Sequence, residues 1–204
     1  MEAKTKVLSR ILFIGALTFV PAQAGIITFD AHPADFGDPI VDSGFTFSFN
    51  SSGWGVFGPG SAGCCNVNYN GTPALIADGD RTGPASVVMT QVGGGTFSVS
   101  ALSASVYWTG ASGQINLIGA ISGGGTVTAT LSVNSTWASF ALPSFNNLMS
   151  LTFQDTSSGA FLTAPGLGID NINTGTAVPE PGSWALLTAG LVVLGKFARL
   201  RRVG

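Results

Sequence analysis

The chain has 204 residues, with eight Lys and Arg against ten Asp and Glu, one His and two Cys. Its cations crowd the two ends. Between residues 25 and 177 eight aspartates face only Arg81, and so acidic a body repels phosphate backbones and excludes nucleic acid as a partner, while recurrent Val, Ile, Leu, Phe and Trp exclude a disordered chain.

In chain order, Lys4, Lys6 and Arg10 precede an apolar run over 11–20, and Ala22-Gln23-Ala24 offers small residues where a signal peptidase cuts. Residues 1–24 therefore read as a signal peptide for the Sec export machinery. Residues 25–175 are long enough for one domain with its own core.

A short β-rich run from Ile26 to Phe29 opens that domain, followed by a loop dense in Asp and Pro that holds the only histidine, His32. Phe45, Phe47 and Phe49 alternate with Thr46 and Ser48, as in a half-buried strand. From Ser51 to Gly83 there is little periodicity and much Gly, Asn and Pro, which predicts a long loop with one short strand near Ala74 to Ala77. The adjacent Cys64 and Cys65 lie in it. They can form a strained vicinal disulfide, bond another molecule, or remain plain loop thiols.

From Phe97 onward strand follows strand: Phe97, Val99 and Ala101; Ser105 to Thr109; Gln114 to Ala120; Val127, Ala129, Leu131 and Val133; Met149, Leu151 and Phe153. The triplets Gly93-Gly94-Gly95 and Gly123-Gly124-Gly125 read as hairpin turns, because a phosphate loop would need a following helix start or a Lys. No segment of the body keeps a helical period. The expected fold is all-β, a two-sheet antiparallel β-sandwich of jelly-roll-like form, between an N-terminal signal helix and a C-terminal transmembrane helix.

At the far end, residues 176–182 hold Val178, Pro179, Glu180 and Pro181, a stiff extended linker that cannot continue a strand ladder. Residues 183–198 follow as an apolar helix beginning near Trp184, and 199–204 carry Arg199, Arg201 and Arg202. Such a helix spans roughly 24 Å, short of the ~30 Å hydrocarbon core, and snorkelling of Lys196 and the arginines makes up the difference. The basic end belongs on the cytoplasmic side, with the body outside.

This order of Pro-Glu-Pro, apolar helix and basic end resembles the PEP-CTERM sorting signal processed by bacterial exosortases. The resemblance runs from Val178 to Gly204 and implies a pathway. The signal peptide starts export, the C-terminal helix holds the chain transiently in the inner membrane, and an exosortase acts near Pro179-Glu180-Pro181. The product belongs at the cell surface or in an extracellular, exopolysaccharide-rich biofilm matrix. In the body, "TWASFALPSFNNLMSLTFQ" and "GLGIDNI" are similar to the closing strands of jelly-roll modules of exported bacterial proteins, carbohydrate-binding ones among them.

No catalytic set stands out. His32 has no G-x-S-x-G turn beside it, the body contains no Glu, and Asp30, Asp155 or Asp170 would serve glycoside hydrolysis only at a separation that sequence does not reveal. The body is therefore expected not to be an enzyme. Asp30, ending the first strand, and Asp170, in the last, are expected to converge, and their hard oxygens suit Ca²⁺; the jelly-roll resemblance implies the same structural ion. Asp78 to Arg81 lacks the other ligands of an EF-hand loop.

Aromatic faces stack on pyranose rings, which makes Trp54, Tyr69, Trp108 and Trp137 the candidates for sugar binding, with Trp54 and Tyr69, in the Gly-rich region, placed first. Trp108 and Trp137 fall in strand patterns and are expected in the core. Asn50, Asn70 and Asn134 each begin an Asn-x-Ser/Thr acceptor pattern, which arises easily by chance in such a composition. The leading expectation is a non-catalytic exported matrix protein. The alternatives are a calcium-bearing carbohydrate-binding module for exopolysaccharide and, last, an Asp-dependent glycan hydrolase.

Overall fold

A computed structural model describes residues 25–32, 34–50, 54–58, 68, 70–77, 86–107, 110–156, 166–175 and 190. Cys64, Cys65, Tyr69, Trp108, the signal peptide and the sorting residues Val178 to Pro181, Trp184, Arg199, Arg201 and Arg202 lie outside them. Among the described residues no helix is long and apolar enough to cross a membrane.

The strands are β1 (Gly25–Ile27), β2 (Ala34–Asp35), β3 (Ile40–Asp42), β4 (Phe45–Phe49), β5 (Trp54–Phe57), β6 (Ala74–Ala77), β7 (Ser86–Gln91), β8 (Ser98–Val106), β9 (Ser112–Ile121), β10 (Thr126–Asn134), β11 (Ala138–Ala141), β12 (Leu148–Asp155) and β13 (Leu167–Gly175). One sheet runs β11-β8-β13-β6-β5-β2, with β1 also on β13, and the other runs β10-β9-β12-β7-β4-β3. Every pairing is antiparallel. The chain is thus an all-β, two-sheet sandwich, with its first and last strands side by side as the sequence implied.

Alternation builds the core. Phe45 and Phe47 of β4 point inward together with Val87 and Met89 of β7, Ile115 and Leu117 of β9, and Leu151 and Phe153 of β12. From the other sheet come Ile27, Val56, Leu75, Ala104, Val106, Ile169 and Ile172. Each large side chain so buried contributes roughly 1.5–3 kcal/mol against exposure. Phe29 and Phe47 meet edge to face, their centroids 5.1 Å apart, and tie the end of β1 to the opposite sheet.

Several expectations need correction. Val99 and Ala101 belong with Ser105 and Val106 to one long strand, β8, not two, and Phe97 just before it bridges to Leu148. In β12 the inward residues are Leu148, Leu151 and Phe153, while Met149 is 58% exposed, because the register with β9 shifts between Leu148 and Ser150. The second glycine triplet does close the β9–β10 hairpin, with Gly124 N donating to Ile121 O at 3.0 Å. The first does not: it carries the chain from β7 in one sheet to β8 in the other. Both triplets use the left-handed φ that only glycine adopts freely, as at Gly94 (81°) and Gly124 (104°).

Four strands escaped the sequence pattern: β2 and β3, in the loop expected after Phe29, and β5 and β7. The long loop expected over Ser51 to Gly83 contains β5 as well as β6. Gly55 interrupts its pattern for a steric reason, since a Cβ there would lie 2.7 Å from the Phe36 ring, which packs across the strand against Phe57.

Candidate functional site

Along one edge β13 changes partner. Leu167 to Ile169 pair with β6, and Ile172 to Thr174 pair with β1. Asp170 and Asn171 fall between, in a gap that neither strand fills. Asn171 has a φ of 50° and the register with β8 slips after Asp170. This is a bulge: Ile169 and Ile172, three residues apart, both reach the core, and Asp170 turns to the outer face. Asn suits the position, being one of the few residues that tolerate left-handed backbone.

Two loops close over the gap, residues 70–72 entering β6 and residues 28–30 leaving β1. Asp170 is completely buried beneath them. Its Oδ2 accepts from Asn70 Nδ2 at 2.5 Å, from Thr72 Oγ1 at 3.1 Å and from Asn171 Nδ2 at 3.1 Å; its Oδ1 accepts from the Asn171 backbone N–H at 2.7 Å. Burial pushes the carboxyl above its ordinary value of 3.8 in spite of the donors from Asn70, Asn171 and Thr72, and the nearby Asp30 charge adds to the rise.

Above this network lies an open cleft of about 350 Å³. Thr28 and Asp30 border one side of it, Asn70, Thr72 and Asn171 cover the buried Asp170, and Ser103 continues the surface onto β8. Trp137, Ala138 and Ser139 bound the cleft as the chain enters β11. The register aligns Ser139 with Ser103 and Ser103 with Asp170, so three polar positions cross three strands in one row.

Trp137 is held from two directions. Its ring lies on Gly168 of β13, where a Cβ would come within 2.8 and 2.9 Å of two ring carbons, and its Nε1–H donates to Asn68 O at 3.1 Å. Asn68 in turn donates from its side-chain amide to Ser105 Oγ and to Val106 O. Below the ring is a small apolar cluster of Ala74, Ile76 and Tyr107, flanked by Phe57. The indole is therefore fixed with its polar end satisfied and part of its surface facing the cleft.

The residues singled out from sequence fare unequally. Asp30 lies near enough to Asp170 for its charge to help raise that carboxyl. Asp170, however, already serves four protein donors, so an ion bound by both would have to displace some of them, and among the described residues no three His, Cys, Asp or Glu side chains cluster as a metal group. Trp54 is not in a loop: it begins β5 opposite Ala77 of β6, and its side chain lies outside the described residues. Among the described residues the aromatic that reaches the cleft is Trp137, which its strand-like surroundings had assigned to the core. Asn70 and Thr72 belong to an acceptor pattern, yet both side chains bind Asp170.

His32 stands apart from this cleft. Its Nδ1 lies 3.0 Å from Asp35 Oδ2 and its Nε2 3.0 Å from Val41 O, which pins the loop between β1 and β3. Asp155 is buried in β12, in the sheet opposite Asp170.

Residues 177–202 match the PEP-CTERM protein-sorting motif. The chain thus carries the mark of an exported, membrane-processed protein sorted to the cell surface, as its Pro-Glu-Pro tail implied. No curated protein matches the chain. Among solved structures, a variant of the family 29 carbohydrate-binding module CBM29-2 is similar with 12% identity and a TM-score of 0.45, over 76% of this chain and 90% of that one. TmCBM61 in complex with β-1,4-galactotriose has 14% identity and a TM-score of 0.44, over 73% and 98%. At these values nothing about a ligand carries across.

Proposed function

We propose that the body is a non-catalytic glycan-binding module, delivered to the cell surface by the sorting tail and holding exopolysaccharide in the cleft beside Trp137. One observation carries this reading. The cleft combines a fixed indole with a row of neutral hydrogen-bonding side chains, which is the equipment a pyranose needs: an aromatic surface for its apolar face, donors and acceptors for its hydroxyls. An open cleft on a sheet face accommodates a polymer passing through it.

Its carboxylates argue for binding over hydrolysis. Glycoside hydrolysis needs two carboxyl groups flanking the scissile bond. Here Asp30 borders the cleft, but Asp170 lies beneath Asn70, Thr72 and Asn171 with its oxygens engaged. Calcium remains a separate proposal, with Asp30 and the less engaged Oδ1 of Asp170 as its ligands.

The test is a titration of the purified protein with polysaccharide from its own matrix, followed by tryptophan fluorescence and by retardation in a gel containing the polymer. Retardation with a change in emission supports the reading. An unchanged spectrum and free migration would remove it.

A further inference from the structure

Among the described residues, Asp30 is the one charged side chain that borders the cleft. It is exposed and has no hydrogen-bond or ion-pair partner among the described residues. Nor does the body have cations to spare. By sequence only Arg81 opposes its eight aspartates, and the described residues of the body contain no Lys or Arg. Below Asp30 sits a second carboxyl, Asp170, close enough for the two charges to act on each other. Among the described residues, therefore, no Lys or Arg compensates the negative charge that the site presents next to an aromatic ring and neutral polar groups.

A ligand filling the cleft displaces water from Asp30, and a carboxylate losing water needs a partner. A neutral sugar offers a hydroxyl. An uronate or sulfated sugar brings repulsion instead. A hexosamine with a free amino group brings an ammonium, which supplies both the donors and the countercharge, and such a charge-assisted contact is about twice as strong as a neutral one. We infer that the cleft is selective for a glycan bearing free amino groups, a de-N-acetylated hexosamine polymer, with its ammonium on Asp30 and its ring on Trp137. This rests on the glycan-binding reading above.

The ligand class separates the two claims experimentally. The full-length exported protein, in detergent, is titrated calorimetrically with oligosaccharides of equal length: glucosamine, N-acetylglucosamine, glucose and galacturonate. The glucosamine oligomer is expected to bind about tenfold tighter than the acetylated and neutral ones, with galacturonate weakest. In Asp30→Asn that ratio falls toward one, whereas Asp30→Glu keeps it. Asp42→Asn, which removes the same charge from β3 in the opposite sheet, also keeps it and so excludes a general effect of net charge.

Equal affinity for the amino and neutral oligomers overturns the inference and leaves glycan binding standing. A preference that survives Asp30→Asn overturns it as well. Binding of none of the four ends both claims. If calcium chloride alone gives a heat that Asp30→Asn abolishes while glucosamine gives none, Asp30 is a metal ligand and the inference fails.

Discussion

Asn70 Nδ2 donates to Asp170 Oδ2 across 2.5 Å of space and 100 residues of chain. The bond joins the loop before β6 to the bulge in β13, just where the sheet edge changes partner. Thr72 and Asn171 complete the same node, so one buried carboxylate organises the surface beneath the cleft.

Asp170→Ala removes the acceptor of the Asn70 amide and of the side-chain and backbone N–H groups of Asn171, while the Thr72 hydroxyl keeps Asn70 Oδ1. The expected loss is about 1–3 kcal/mol of stability, the cost of stranding polar groups in a poorly solvated place. Urea unfolding measures it. A change within error would show that water replaces the carboxylate at no cost.

The pH dependence follows from the direction of the Asp170 shift. Its native pKa stands above the ordinary 3.8, so the folded protein keeps this proton to higher pH than the unfolded chain does. Its favourable contribution is complete below the unfolded value and is lost as pH rises through the native one. Asp170→Asn cannot ionise, so stability of the wild type relative to this variant should fall as pH climbs from about 3.8 upward, the other carboxyls cancelling in the comparison. Parallel stability curves across that window would contradict burial as the dominant cause.

Trp137 and Gly168 are coupled by shape. Gly168→Ala places a methyl group against the indole and is expected to cost about 1–3 kcal/mol, with the ring pushed off its strand. In a Trp137→Ala background the same substitution should cost far less, and the double-mutant cycle isolates the contact. Trp137→Ala itself is expected to weaken polysaccharide binding by roughly 30-fold, as for an aromatic anchor worth about 2 kcal/mol. Additive stability costs would mean that the ring has room to move.

Processing is checked by intact-mass spectrometry of protein recovered from cell surface and medium. The expected species begins at Gly25 and ends near Pro179-Glu180-Pro181. A membrane-bound species retaining Val203 and Gly204 in exosortase-bearing cells would make the tail a permanent anchor.

Much of the fold was legible because burial on one face of a strand writes itself as a period of two. Phe45 and Phe47, Ile115 and Leu117, and Leu131 and Val133 announce their strands in this way. β5 was hidden because Gly55 yields its place to the Phe36 ring, a contact from the residue that follows β2. Met149 was misplaced because a bulge reverses facing without altering composition. Asp30 and Asp170 could be paired in advance, since both lie where the first and last strands meet. Asn70, Thr72, Ser103 and Ser139 could not: small polar residues are common throughout this body, and only the register and the gap in β13 bring these four together. Trp137 was assigned to the core because a strand-like neighbourhood cannot show that the residue beneath the ring is glycine.

The position of β13 has a consequence for export. It is the last strand of the body and it joins β1, β6 and β8, with Gly25 opposite Thr174. On the proposed route, in which the chain leaves N-terminus first and the apolar segment 183–198 halts it, this sheet cannot close until almost the whole body has crossed. Completion of the sandwich and arrest would then coincide, and an exosortase would meet a body that has just finished folding, with Gly25 and Thr174 side by side at one corner and the cleft farther along the β1–β13 pair.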